Sequence, residues 1–166
     1  EGALVSTARA VAAISEEDAA AFRTACPGAR VDCVPVGFRF APPPPPPTGE
    51  LTLAWVGRMD WPPNRDGLDW FLRAVWPTVH ARRPRVRLLL AGSGDASWLP
   101  RDGEGVEILG RVDDPAGVYA RAHAAIAPIR FGRGTKIKVI EAARFGRTVF
   151  ATPNAFRGSA LPESAM

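Results

Sequence analysis

The sequence predicts an α/β fold, a Rossmann-like, doubly wound parallel sheet. Three observations predict it. Short apolar runs recur along the second two-thirds of the chain, and they are apolar throughout rather than alternating, as strands buried on both faces are. Helix patterns fall between them, which argues for βαβ crossovers. Most of the runs end in a glycine or a proline turn, which places candidate ligand loops at the carboxyl ends of the strands.

The elements follow in order. Ala10 to Ile14 is a short apolar run. Ser15-Glu16-Glu17-Asp18 has the Ser-x-x-acid form of a capping box, so a helix should follow and stop before Pro27-Gly28. Val31 to Val34 is a third, β-branched element closed by Pro35 and Gly37. Some 40 residues of this kind bury too little apolar surface to form a core of their own. Pro42 to Pro47 is a run of six prolines, expected to be extended polyproline II and to span roughly 19 Å as a semi-rigid spacer. It divides the chain into residues 1–41, a linker at 42–50, and a longer part at 51–166. The spacer can equally be a tie between two elements of one domain.

Beyond the linker, Leu51 to Val56 is a buried-type strand ended by Gly57. Asn64 is expected to cap a helix with Asp66 in its first turn. Leu68, Phe71, Leu72, Val75, Trp76 and Val79 then form one apolar face at helical spacing. Val86 to Ala91, Val106 to Leu109, Ala124 to Ile129 and Thr148 to Ala151 are further strands. Pro115 to Ala122 and Thr135 to Phe145 read as helices, the second stopped by Gly146.

Composition bounds the function. With 46% hydrophobic residues the chain is not disordered, and no apolar run reaches the roughly 18 residues of a membrane span. Glu1 is not followed by a basic-then-apolar leader, which predicts no signal peptide, and the missing Met predicts a piece of a longer protein. Cys26 and Cys33 are too few for a disulfide scaffold and match no zinc spacing; reduced thiols in a cytoplasmic protein are expected. The net charge of +4 is carried by scattered arginines, densest at Arg82-Arg83-Pro84-Arg85-Val86-Arg87. That run lacks the interleaved aromatics and module patterns of nucleic-acid binders, so no nucleic acid is expected as partner. His80 and His123 stand far apart and predict structural roles. Asp113-Asp114, followed by Pro115, predicts a helix start rather than a metal pair. Trp61 is the one tryptophan of five expected at a cleft, the others reading as core.

Two loops carry candidate chemistry. Gly57-Arg58-Met59-Asp60 puts a guanidinium at the mouth of the sheet, where it can hold phosphate in a fork; it can equally be a surface arginine paired with Asp60 or Asp66. Arg130-Phe131-Gly132-Arg133-Gly134-Thr135-Lys136 brings backbone close to a ligand and leads into a helix whose free N–H groups favour an anion. Lys136 adds positive charge. Glu141, less than two turns in, is placed to accept hydrogen bonds from two adjacent ribose hydroxyls. Otherwise it is a surface partner of Lys138 at i, i+3. Phosphate at the helix tip and ribose beside Glu141 together describe a nucleoside diphosphate. The Gly92-Ser93-Gly94 turn is weak evidence, because it lacks the full nucleotide fingerprint.

The stretch Trp55-Val56-Gly57-Arg58-Met59-Asp60-Trp61-Pro62-Pro63-Asn64-Arg65, with the later Gly132-Arg133-Gly134-Thr135-Lys136-Ile137-Lys138-Val139-Ile140-Glu141, resembles the donor-binding domain of group 1 (family 4) glycosyltransferases, nearest to bacterial enzymes of exopolysaccharide assembly. The resemblance runs from about Ala10 to Gly158. It implies a GT-B fold, with residues 1–41 a remnant of the acceptor domain and 51–166 an incomplete donor domain. It implies retaining transfer of a sugar from a nucleotide-diphosphate sugar to a glycan or lipid-linked acceptor, without cofactor or metal, in a cytoplasmic enzyme that can sit peripherally on the membrane. Arg58 and Lys136 match the basic positions at the diphosphate. Gly57, Gly134 and Thr135 fall at the donor, and Glu141 matches the second Glu of the family's Glu, seven residues, Glu motif.

The sequence departs from that pattern at Arg133, where the first Glu would fall. It departs again at Pro63-Asn64-Arg65, where a family Lys is missing and Arg65 is the expected substitute. These departures keep open a non-catalytic nucleotide-binding module, and the two-domain architecture leaves room for a nucleotide-sugar epimerase. The fragment alone is expected to transfer no sugar.

Overall fold

The structure is a computed structural model that describes residues 8–37, 42–100 and 103–158. It contains two parallel sheets. In the smaller, β1 (Ala10–Ala13) and β2 (Arg30–Cys33) flank α1 (Glu16–Ala25). Ser15 caps the helix as expected: its Oγ accepts from the Asp18 N–H at 3.1 Å, and its hydroxyl donates to the Asp18 carboxylate at 2.8 Å. Among the described residues, Ala13, Ala19 and Val31 form its buried apolar centre, a core of three small or medium side chains. Cys26 and Cys33 are both free thiols.

The larger sheet has five parallel strands in the order β5-β4-β3-β6-β7. These are β3 (Thr52–Val56), β4 (Arg87–Ala91), β5 (Val106–Gly110), β6 (Ala124–Ala127) and β7 (Thr148–Ala151). Alternate residues serve the two faces. Leu53 and Trp55 pack with Leu68, Phe71, Leu72, Trp76, Leu88 and Leu90 under the long helix that follows β3. Ala54, Leu89 and Ala91 pack on the other face with Val118 and Ala122 of the α4 region (α4, Ala116–Ala120). Tyr119, Ala125 and Ala142 join α4 to α5 (Ile137–Arg144) on that face. Helices on both faces of a parallel sheet are the doubly wound arrangement that the apolar strands predict. Chain order reverses at β3: β4 and β5 lie to one side, β6 and β7 to the other.

Elements of the larger unit differ in detail from the sequence reading, for local reasons. The helix after β3 starts at Pro62, not at Asn64. Trp61 is its N-cap, and Pro62 and Pro63 occupy the first turn, where a missing N–H costs nothing and a fixed φ is already helical. That helix is also not one α-helix. It runs as α2 (Pro62–Trp70), a π-helical turn (Phe71–Val75) and α3 (Trp76–Arg82). Pro77 has no N–H and its ring crowds the carbonyl one turn back, and the widened turn falls in the residues just before it. Strand β6 ends at Ala127 because Pro128 cannot donate to the ladder.

The proline run is not a free spacer. Arg147, 4% exposed, donates through Nε to the Tyr119 carbonyl at 2.8 Å, and through one terminal nitrogen to the carbonyls of Pro44 and Pro45 at 3.0 and 3.1 Å. The sequence allowed a tie within one body, and this buried guanidinium makes one.

Candidate nucleotide-diphosphate site

The carboxyl ends of β3 and β6 diverge where chain order reverses, and a cleft of about 400 Å³ opens there. This is the crevice in which open α/β sheets hold ligands. Val56, Gly57, Arg58, Trp61, Pro63 and Asn64 line it from the β3 side, and Ile129, Gly132, Arg133, Thr135 to Lys138 and Glu141 from the β6 side. Five of the residues singled out in the sequence therefore meet: Gly57, Arg58, Thr135, Lys136 and Glu141. Trp61, 54% exposed, stands at the rim as expected.

Arg58 forms a two-pronged pair with Asp60, at 2.7 and 3.0 Å. The hydrogen bonds hold the Asp60 carboxyl below, and the guanidinium above, their usual ranges. The surface pairing allowed by the sequence is thus present, with Asp60 and not Asp66; Asp66 is taken by Arg130 at 2.6 and 2.8 Å. Arg58 still lines the cleft.

The glycine loop enters α5 later than expected. The helix starts at Ile137 with Lys136 at its cap, so Gly134 and Thr135 lie in the loop before it. Gly134 sits at φ +80°, in the left-handed region that a side chain disfavours. Lys136 Nζ turns back to the carbonyls of Gly132 and Gly134, at 3.1 and 2.6 Å, and partial burial lowers its pKa. The loop is braced from behind. Thr135 donates to the Gly158 carbonyl at 2.9 Å, Asn154 to the Gly132 carbonyl at 3.2 Å, and Thr152 to the Ile129 carbonyl.

Glu141 is half-buried and its pKa is raised by that burial. Tyr119 donates to it at a long 3.4 Å. The surface pair with Lys138 does not form.

Lys138 is the residue the sequence reading missed. Its Nζ donates to Asn64 Oδ1 at 2.7 Å and stands 4.4 Å from the centre of the Trp55 ring. The residue keeps partial exposure, but protein encloses the ammonium closely enough for desolvation to push its pKa down to about 7. Asn64 in turn donates to the Arg58 carbonyl at 2.7 Å, so it is a buried link rather than a helix cap. Gly57 leaves room for this group: a Cβ there would lie 2.8 Å from Lys138 Nζ and 3.2 Å from the Trp55 ring. The available signal was compositional. The chain has only two lysines, at 136 and 138, and both line the cleft.

Arg65 is a correction. It does not join the cleft; its guanidinium lies 5.5 Å from the Trp98 ring, in a separate hollow with Asp60, Asp66 and Asp69. Being next to Asn64 on a helix turns it about 100° away. The structural readings of the two histidines and of Asp113-Asp114 hold. His123 Nδ1 accepts from the Thr52 N–H at 3.0 Å, and His80 packs on Trp76. Asp114 accepts from the Ala116 N–H at the start of α4. Among the described residues, no three His, Cys, Asp or Glu side chains group to hold a metal ion, and no helix is long and apolar enough to cross a membrane.

Comparison with solved structures finds the same fold. TarM of S. aureus superposes with a TM-score of 0.72 at 16% identity, covering 89% of this chain and 30% of that one. A TarM variant was solved with fondaparinux, α-GlcNAc-glycerol and UDP. HepE of Anabaena, in complex with UDP and glucose, gives 0.62 at 17%, covering 87% and 44%. A UDP-forming α,α-trehalose-phosphate synthase of Burkholderia xenovorans gives 0.62 at 11%, covering 92% and 48%. The chain thus spans less than half the length of each. No curated protein matches the sequence significantly. A family model described as glycosyl transferases group 1 matches residues 50–163, the region that builds the five-stranded sheet and its cleft. The chain belongs to the group 1 glycosyl transferases.

Proposed function

We propose that residues 51–166 are the donor half of a retaining glycosyltransferase, joined by the 42–50 linker to the tail of an acceptor domain at 1–41. The whole protein moves a sugar from a nucleotide-diphosphate sugar to a glycan or lipid-linked acceptor in cell-surface polysaccharide assembly. One observation carries the reading. Arg58, from the loop after β3, meets Thr135, Lys136 and Glu141, from the segment after β6, in one cleft at the switch point of the sheet. A cation on each wall, with the glycine loop beside one of them and a carboxylate further along α5, fits a diphosphate and a ribose at once.

In this reading Arg58 and Lys136 neutralise the diphosphate as the glycosidic bond breaks, with the backbone N–H groups at Gly134 and Thr135 beside them. Donors already in place stabilise the leaving group without reorganising. Glu141 accepts from the two ribose hydroxyls. The side-chain cations carry the leaving-group charge, so no metal is invoked. Arg133 faces the cleft where the family has a carboxylate, so contact to the donor sugar differs here. Arg82, Arg83 and Arg85 surround a second hollow beside Glu50 and Leu51, at the opposite ends of β3 and β4. They support peripheral attachment of a cytoplasmic enzyme to an anionic membrane face, clear of the donor cleft. The chain without its acceptor domain is expected to transfer no sugar.

Calorimetric titration of the full-length protein with UDP, GDP, ADP and the matching monophosphates tests the reading. One diphosphate should bind selectively, and Glu141→Ala should weaken it by about 10- to 100-fold, the worth of hydrogen bonds to a charged group. A folded protein that binds none of them is not a donor-binding enzyme.

A further inference from the structure

We infer that Lys138 is a third cation for the donor's diphosphate, delivered from α5 and held in place by Asn64 and Trp55. The inference rests on the donor-site reading above and extends it to a residue outside that machinery.

The geometry carries it. An enclosed ammonium normally faces a carboxylate, because burying an unpaired charge is costly. No carboxylate forms an ion pair with Lys138 among the described residues. An ammonium has three N–H donors; Asn64 Oδ1 takes one, and the Trp55 ring offers a face but no acceptor. The group lines the cleft beside Gly57 and Arg58. Asn64 bonds to both Lys138 and the Arg58 carbonyl, so one side chain ties the ammonium to the backbone of the Arg58 loop. Arg65, the sequence's candidate for this charge, points elsewhere. A lysine suits the place better than one of the chain's many arginines, because a compact ammonium fits over Gly57 where a planar guanidinium is larger.

A bound dianion would complete the unfilled donors and favour the charged form. Burial has already brought the Lys138 pKa to about 7, so above that pH the empty site holds a largely neutral amine and diphosphate binding draws a proton onto it. The charged and titratable groups lining the cleft with it are Arg58, Arg133, Lys136 and Glu141. Arginine does not titrate in this range. Lys136 takes up protons in the same sense. Glu141 acts in the opposite sense, since hydroxyls bonded to its carboxylate favour the ionised form and release protons. The difference between wild type and Lys138→Met isolates Lys138.

The test is calorimetry of the full-length protein at pH 8–9 in buffers of different ionisation enthalpy, with UDP, GDP and ADP and with the corresponding nucleosides. Expected is a loss of about 10- to 100-fold in diphosphate affinity for Lys138→Met, with nucleoside affinity unchanged and proton uptake on binding reduced. The thermal midpoint should hold or rise, because the variant removes an enclosed charge. Lys138→Gln, which can still bond to Asn64, serves if the Met variant does not fold. Diphosphate affinity and proton uptake equal to wild type in a folded variant would overturn the inference, as would a fall in thermal midpoint without a loss of affinity. Failure of the wild type to bind any diphosphate would overturn the donor-site reading itself and this inference with it.

Discussion

Replacing Arg58 with alanine is expected to slow sugar transfer by the full-length protein by about 10²–10³-fold, the loss seen when one preorganised donor is removed from a developing negative charge. The melting temperature should barely move. The Arg58 side chain is 64% exposed and its partner Asp60 34%, and ion pairs as open as this contribute little to stability. A large loss of rate without a loss of stability separates the two readings of this arginine. If transfer falls by less than about threefold, Arg58 is only the surface partner of Asp60. Arg58→Lys should sit between, since an ammonium keeps the charge but not the fork.

Gly67→Ala is expected to harm the fold strongly. A Cβ on Gly67 would lie 1.9 Å from the Pro128 carbonyl oxygen and 2.8 Å from its carbon, both backbone atoms that cannot swing aside. Helix α2 therefore touches the loop after β6 backbone to backbone. Alanine gains about 1 kcal/mol in helix propensity over glycine, but separating α2 from that loop should cost more, about 1–3 kcal/mol net on the scale of overpacked cores. Urea denaturation measures it. The same displacement moves Asn64, on the preceding turn of α2, and Ile129, on the cleft wall, so nucleotide affinity should fall as well. A variant as stable as wild type would mean that helix and loop do not approach this closely.

Much of this molecule was legible because parallel sheets write themselves plainly. Leu88-Leu89-Leu90-Ala91 is buried along its whole length, and only a strand covered on both faces makes that run. The cap at Ser15, the structural histidines and the convergence of Arg58 with Lys136 and Glu141 follow from local chemistry plus strand order. The errors came where one residue has two jobs open to it. Asn64 has the chemistry of a helix cap, but two prolines ahead of it took over the start of α2, and its amide was left to bind backbone and Lys138. Lys138 and Glu141 are three apart and of opposite charge, which reads as a surface pair. Only the fold puts Trp55 beneath the lysine and Asn64 beside it, and neither contact is local in sequence. Arg65 failed for the converse reason: one step along a helix from Asn64, it faces a different hollow.

The grip of Arg147 on the proline run gives the linker the properties of a screw thread. Six identical residues with fixed φ repeat about every third residue, each advancing about 3.1 Å and turning about 120°. Arg147 engages only carbonyls, and every proline offers the same one. Gaining or losing a single proline can therefore leave the grip intact while the start of the run is turned by about a third of a revolution and shifted by about 3 Å. A change of three restores the orientation at a displacement of about 9 Å. Length variation in a run of this kind changes the phase at which the chain enters the grip of Arg147, and whole turns of the thread restore it.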